Sequence, residues 1–172
     1  GGTNSRLKLI LINKEEDIEP IEIASKVLKS FDYDSIENLL KSFLEEFEGT
    51  KNYPKFAVLG IPGAVENNTM LPLVNIPQWK KENGESLAKK LNLKKVIFLN
   101  DFVCIGYGIL SELKEGETLI KLNKRISENN GKKLVIGPGT GLGVCYLIKN
   151  ENEKFYNVYG SEGSHQDFAQ QI

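Results

Sequence analysis

The sequence has few of the residues and segments that mark several large classes of protein. It contains one histidine and two cysteines in 172 residues, with no CxxC spacing, so we expect no zinc site built from these residues. Its formal net charge of -1 gives no electrostatic reason to bind nucleic acid or an anionic membrane. Apolar runs stay well short of the ~20 residues that span a bilayer, and the first residues lack the regions of a signal peptide. We therefore expect neither a nucleic-acid nor a membrane partner.

The composition is that of a soluble globular protein, with 40% hydrophobic and 26% charged residues. The length suffices for one good core, or for one domain and part of another. Cys104 and Cys145 lie in apolar surroundings, far apart in sequence, which predicts two buried free thiols in a reducing compartment. We therefore expect the protein to be located in the cytoplasm. The alternative is an organelle, if the complete protein carries a sorting signal outside this sequence.

Two similar glycine-threonine turns lie far apart in the chain. Residues 1–4 read GGTN and residues 137–143 read GPGTGLG, and each is followed by an apolar run of strand length. Such turns can present backbone N–H groups and a threonine hydroxyl to an anion, so a pair could hold a nucleotide's phosphates from two sides of a cleft. The alternative is that each is an ordinary hairpin turn. Neither is a Walker A loop, because no lysine follows the last glycine, and a following strand argues against a dinucleotide fingerprint.

Strands alternate with helices along the chain, which indicates an α/β fold. A helix is predicted after Asp34 and Ser35, which offer an N-cap, with Gly49 at its end. Further helices are predicted from 85 to 91 and from 102 to 113. The polar stretch at 114–131 is the best candidate for a domain boundary. Strands are predicted at 7–12, 18–27, 55–59, 95–99, 133–136, 143–149 and 155–159, with a hairpin around the second glycine turn.

Asn100 and Asp101 follow an apolar strand and precede a helix, the position where ligands collect in open α/β sheets. A carboxylate there can accept a proton from a substrate hydroxyl. The alternative is that Asp101 is only the N-cap of a helix that starts at Phe102.

Two further segments carry candidate polar groups. Glu162 and the single histidine, His165, could bind neighbouring hydroxyls of a polyol, or His165 could be an ordinary exposed loop residue. Neighbouring glycines disfavour the helix that a Glu-x-x-His metal site needs. Asn75 and Trp79 lie in a proline-containing connection, where Trp79 either packs in the core or walls a sugar site.

Taken in order, these segments resemble the bacterial-type glucokinases, a family also found in protists, within the actin-like ATPase superfamily. The motifs are GGTNxR at 1–6, LNDF at 99–102, GPGTGLG at 137–143 and EGSHQDF at 162–168. The resemblance implies an α/β, ribonuclease H-like sugar kinase fold of two domains, truncated at both ends. Residues 1–113 would form the small domain and residues 114–172 the beginning of the large one.

The resemblance also implies the chemistry of glycolysis' first step, phosphorylation of glucose at its 6-hydroxyl by Mg-ATP. Asp101 would be the general base, and Mg²⁺ would bridge the phosphates. A homodimer would be compatible with the family. The sugar-binding residues would be Asn75, Asn100, Asp101, Glu162 and His165, and the phosphate-binding residues would be Gly1, Gly2, Thr3, Asn4, Gly139, Thr140 and Gly141.

The sequence leaves two alternative functions open. A related kinase could act on another hexose or on an N-acetylhexosamine, since specificity depends on a few hydroxyl contacts. A regulator of the same fold could bind sugar without transferring phosphate. Retention of Asp101 and both glycine turns argues against the regulator.

Overall fold

The computed structural model describes residues 3–12, 19–110, 120, 122, 131–139, 142–150, 152–161 and 163. Within them the helices are α1 (Ile36–Leu44), α2 (Gly84–Lys90) and α3 (Asp101–Ile109), with short 3-10 turns at Ser30–Asp32 and Glu45–Phe47. The strands are β1 (Asn4–Leu11), β2 (Ile21–Lys29), β3 (Phe56–Ile61), β4 (Val65–Glu66), β5 (Thr69–Met70), β6 (Glu82–Asn83), β7 (Lys95–Asn100), β8 (Lys133–Pro138), β9 (Leu142–Ile148) and β10 (Asn157–Ser161).

The chain divides into two compact units, Gly1–Leu99 and Asn100–Ile172. In the first unit β1 pairs antiparallel with β2, β3 lies beside β7, and β4, β5 and β6 form a small antiparallel sheet. The core contains Leu39 and Phe43 of α1, Leu87 of α2 and Val96 of β7, all buried. Apolar residues at helical spacing on α1 supply one face of this core, as the sequence predicts.

Helix α1 begins where its sequence carries a capping residue. The Ser35 hydroxyl accepts a hydrogen bond from the Asn38 N–H at 3.1 Å, which satisfies one of the donors that a helix start leaves unpaired. The α-helix ends at Leu44 and a 3-10 turn follows before Gly49, whose φ of 72° suits the left-handed region that glycine tolerates. The predicted start is confirmed, whereas the α-helix itself ends at Leu44, before the Gly49 that was predicted to end it, because the chain tightens into the 3-10 turn.

The connection between β5 and β6 is irregular but firmly anchored. Leu73 and Ile76 are buried and form an isolated bridge, and Trp79 is only 3% exposed. The Trp79 indole donates from Nε1 to the carbonyl oxygen of Tyr33 at 3.0 Å, so its polar group is satisfied inside the core. Trp79 is therefore a core residue.

In the second unit β8, β9 and β10 form a three-stranded antiparallel sheet, and α3 packs against β9 and β10. Gly106 is the buried residue of α3, and a Cβ built on it would lie 2.5 Å from Val158 Cγ1 and 2.9 Å from Cys145 Sγ. Glycine thus allows the helix backbone to approach the sheet closely. Both cysteines are free thiols, as predicted, with Cys145 buried and Cys104 half-buried rather than fully buried.

The predicted strands at both glycine turns are confirmed: β1 pairs with β2, and β8 and β9 form the predicted hairpin. The boundary predicted between residues 113 and 114 lies outside the described residues and stays a prediction. The division into compact units comes earlier, between Leu99 and Asn100, because α3 packs on the sheet of the second unit. None of the described helices has the length and apolar character needed to cross a bilayer.

Replacing Ser35 by alanine should destabilise the first unit by about 1 kcal/mol, because the Asn38 N–H loses its acceptor. Urea unfolding followed by circular dichroism measures the change. Ser86→Ala is the matched control: Ser86 is exposed on α2, where alanine is the better helix former. Equal midpoints for Ser35→Ala and the unmodified chain would contradict the assigned cap.

Candidate active site

Asn100 and Asp101 mark the point where β7 ends and α3 begins. Asn100 is the N-cap: its Oδ1 accepts the Phe102 N–H at 3.0 Å and the Val103 N–H at 3.3 Å. The helix starts at Asp101 itself. The alternative interpretation of Asp101 as the cap of a helix beginning at Phe102 is wrong by one residue, because the amide of Asn100 already serves the first N–H groups.

Asp101 is the first residue of α3 and is half-buried. Its Oδ1 lies 3.0 Å from the Phe102 N, a donor that it shares with Asn100. The pKa of the Cys104 thiol is raised, first by burial and then by the negative charge of Asp101. Asp101 and Cys104 are three residues apart on α3, a spacing that places them on the same face of the helix. A carboxylate at this position can accept a proton.

A side chain from another part of the chain supports β7 just before these residues. Asn68 accepts the Phe98 N–H on Oδ1 at 2.9 Å and donates from Nδ2 to the Val96 carbonyl oxygen at 3.0 Å. Its amide thus pairs with β7 as a neighbouring strand would. Nδ2 also lies 3.0 Å from Glu85 Oε1, and this hydrogen bond lowers the pKa of Glu85.

The backbone around Asn68 makes this arrangement possible. Asn67 and Asn68 have φ values of 47° and 55° and join β4 to β5, as expected for a two-residue hairpin turn with a left-handed backbone. The Gly84 N–H donates to the Asn68 carbonyl oxygen at 2.9 Å. A Cβ on Gly84 would lie 2.6 Å from the Val96 carbonyl oxygen, so glycine is required there. Sequence reasoning missed Asn68, although the paired asparagines were a usable turn signal.

The second glycine turn is a hairpin connection. Gly137 lies opposite Gly143 and Pro138 opposite Leu142, so Gly139 is the first residue of the connection and is exposed. Thr140 and Gly141 lie outside the described residues. An exposed glycine at the end of a strand leaves its backbone open to close approach by a ligand.

Strand β10 ends beside Asn100. A Cβ built on Gly160 would lie 3.5 Å from Asn100 Oδ1 and 3.2 Å from Val103 Cγ2, so the strand and the start of α3 are in close contact. Glu162 follows this strand in sequence, but Glu162 and His165 lie outside the described residues. Their roles in binding sugar stay predictions.

The remaining predicted site residues belong to the first unit. Thr3 and Asn4 are exposed at the start of β1, and the Thr3 carbonyl oxygen accepts the Ser30 N–H at 3.1 Å. Asn75 is exposed between the bridged residues Leu73 and Ile76. Gly1 and Gly2 lie outside the described residues.

The described residues contain no group of three or more histidine, cysteine or carboxylate side chains that could hold a metal ion.

A family model described as Glucokinase matches residues 1–172, which is the whole chain. The chain belongs to the glucokinase family. It is 32% identical to the glucokinase of Trichormus variabilis over 169 residues and 32% identical to that of Helicobacter pylori strain J99 over 170 residues. Each match covers 98% of this chain and 46% or 47% of the relative, so the chain spans about half the length of these relatives.

Solved glucokinase structures share the fold. The glucokinase of an Antarctic psychrotroph matches with a TM-score of 0.74 at 22% identity, over 99% of this chain and 50% of that one. The glucokinase of Balamuthia mandrillaris in complex with glucose matches with a TM-score of 0.66 at 18% identity, over 98% and 47%. The chain therefore has the actin-like sugar kinase fold of these structures, over the half of their length that it covers.

Substituting Asp101 by asparagine should speed alkylation of Cys104 by iodoacetamide at a fixed pH. Loss of the negative charge lowers the raised pKa of Cys104, and the reactive thiolate fraction rises. Peptide mass spectrometry measures the rate at each cysteine. Cys145 is an internal control, since its pKa is raised by burial and not by Asp101. An unchanged Cys104 rate would place the carboxylate elsewhere.

Substituting Asn68 by glycine should free the edge of β7 while keeping the left-handed backbone. The Phe98 amide loses its acceptor, and leaving such a group unpaired costs about 1–3 kcal/mol. We expect its hydrogen exchange to accelerate at least about tenfold. Asn67→Gly is the matched control, being an exposed left-handed asparagine in the same turn. If both variants exchange alike at Phe98, Asn68 does not hold the strand.

Proposed function

We propose that the complete protein transfers the γ-phosphoryl group of ATP to the 6-hydroxyl of glucose, with Asp101 as general base. The observation that carries this proposal is that two adjacent residues at the end of β7 have different functions. Asn100 caps α3, so the half-exposed Asp101 carboxylate is not required to begin the helix. The family and the relatives named as glucokinases support the same reaction.

In the proposed reaction, the Asp101 carboxylate takes the proton of the glucose 6-hydroxyl as that oxygen attacks the γ-phosphorus. The new bond joins O6 to phosphorus, and the bond between phosphorus and the β,γ-bridging oxygen breaks to release ADP. Phosphoryl transfer requires mainly positioning and charge stabilisation, so one carboxylate suffices for the proton.

We assign the sugar hydroxyls to Asn75, Asn100, Glu162 and His165, together with Asp101. Two observations support a sugar site at the start of α3. Strand β10 comes within contact distance of Asn100 just before Glu162 in sequence. A structural neighbour, the Balamuthia mandrillaris glucokinase, was crystallised with glucose. A preference for another hexose would change the substrate and leave the proton transfer as proposed.

The phosphates of Mg-ATP are assigned to the two glycine turns, with Gly1, Gly2, Thr3 and Asn4 in one and Gly139, Thr140 and Gly141 in the other. Support comes from the exposure of Thr3, Asn4 and Gly139 at the start of β1 and the end of β8. Backbone N–H groups in such turns favour negative charge. Mg²⁺ would enter with the nucleotide and neutralise part of the phosphate charge when bound.

We propose that the protein acts in the cytoplasm. Both cysteines are free thiols, and a reducing compartment keeps thiols in that state. A homodimer stays a prediction.

Replacing Asp101 by asparagine in the complete protein should lower kcat for glucose-dependent ADP formation by about 10²–10⁴-fold, because the hydroxyl proton loses its acceptor. A coupled assay with saturating Mg-ATP measures kcat, and calorimetry measures glucose binding. Binding should persist, since asparagine keeps the shape of the side chain.

Glu48→Gln is the control, because Glu48 is an exposed carboxylate in the other unit and its loss should leave kcat unchanged. Full activity of Asp101→Asn would rule out the assigned base. An unmodified protein that binds glucose without turnover would instead be a sugar-binding regulator, and turnover with a different hexose alone would identify a related kinase.

A further inference from the structure

Phe102 is attached through its backbone to both candidate site residues. Its N–H lies 3.0 Å from Asn100 Oδ1 and 3.0 Å from Asp101 Oδ1. Any movement of Phe102 along the axis of α3 therefore changes the hydrogen bonds of the cap and of the Asp101 carboxylate together.

The ring of Phe102 lies on the backbone at the ends of β8 and β9. A Cβ built on Gly137 would lie 2.6 Å from Phe102 Cζ, and a Cβ built on Gly143 would fall on the ring itself. Gly137 and Gly143 are opposite each other in the sheet, one pair before the pair that precedes the glycine turn. The two glycines thus leave a surface without side chains, here called the glycine seat, and the Phe102 ring packs on it.

We propose that Phe102 is a positioning residue that fixes the Asp101 carboxylate relative to the ends of β8 and β9, and so relative to the glycine turn between them. This inference rests on the proposed function, in which Asp101 takes the proton and the turn binds phosphate. Because a packed interior transmits displacement, a ring that shifts on its glycine seat moves the base with respect to the phosphate site.

A purely structural interpretation of the same contacts makes a different prediction. Phe102 also packs against the small core formed by Cys145, Leu147 and Val158. If core packing were its only contribution, its replacement would lower stability and leave the kinetics of the folded protein unchanged. A positioning residue changes kcat more than it changes the KM for glucose, since a displacement of about 1 Å can cost about 10²-fold in rate.

The test is a mutant cycle in the complete protein with Phe102→Leu, Gly143→Ala and the double variant. Gly143→Ala puts a methyl group where the ring lies, and leucine lacks the ring Cε2 and Cζ atoms that lie nearest to that methyl group, so it relieves part of the overlap. We expect each single variant to lower kcat by about tenfold or more with the KM for glucose little changed. We expect the double variant to recover at least part of the rate lost in Gly143→Ala, because the shorter side chain overlaps less with the methyl group than the ring does.

Gly108→Ala is the matched control for Gly143→Ala. It is the same substitution in the same unit, but the added Cβ meets only open space. It should leave kcat unchanged. If Gly143→Ala does not fold, Phe102→Leu carries the test by itself: a lower melting temperature with unchanged kcat would overturn the proposal. Losses in the double variant that equal the product of the single losses would also overturn it.

Hydrogen exchange separates failure of this proposal from failure of the proposed function. Phe102→Leu should accelerate amide exchange at the ends of β8 and β9 and also at the start of α3, whereas Gly108→Ala should not. If the unmodified protein shows no turnover, the proposed kinase function is wrong, and so is the positioning role of Phe102. This holds even if hydrogen exchange shows that the ends of β8 and β9 and the start of α3 are physically linked. Turnover without linked exchange would refute the link alone.

Discussion

The cap that Asn100 places on α3 is the interaction on which the candidate site depends. One amide oxygen receives two backbone N–H groups, and this fixes where the strand stops and the helix starts. Because the cap comes from Asn100, the following carboxylate is carried on the first turn of the helix rather than used to begin it. The Asn68 amide holds β7 ahead of this cap by hydrogen bonding to the backbone of Val96 and Phe98.

Glycine has a specific packing function in both units. In the first unit Gly84 leaves room for the Asn68 amide and the Val96 carbonyl, and in the second Gly106 brings α3 onto the sheet. Gly137 and Gly143 accept the ring of Phe102 in the same way. Each of these positions would place a Cβ within 3 Å of another group, so the close approach of elements around the site is specified by the absence of side chains.

Local signals in the sequence were sufficient to predict most of the elements. Ser35 with its helical apolar pattern predicted α1, and apolar runs beside glycine turns predicted β1 and the β8–β9 hairpin. The support of β7 by Asn68 could not be predicted, because the two segments are 28 to 30 residues apart and a single sequence does not show their contact. The alternative that Asp101 is the N-cap was wrong by one residue, because asparagine and aspartate are equally good N-caps and the two are adjacent.

The most direct test of the account is a crystal structure of the complete protein with glucose, in which the distance from the Asp101 carboxylate to the glucose 6-hydroxyl is measured. If Asp101 is the base, a carboxylate oxygen lies within about 2.6–3.2 Å of that hydroxyl, and Asn100 still caps α3. Glucose bound away from the start of α3, or an Asp101 carboxylate that has replaced Asn100 as the cap, would contradict it.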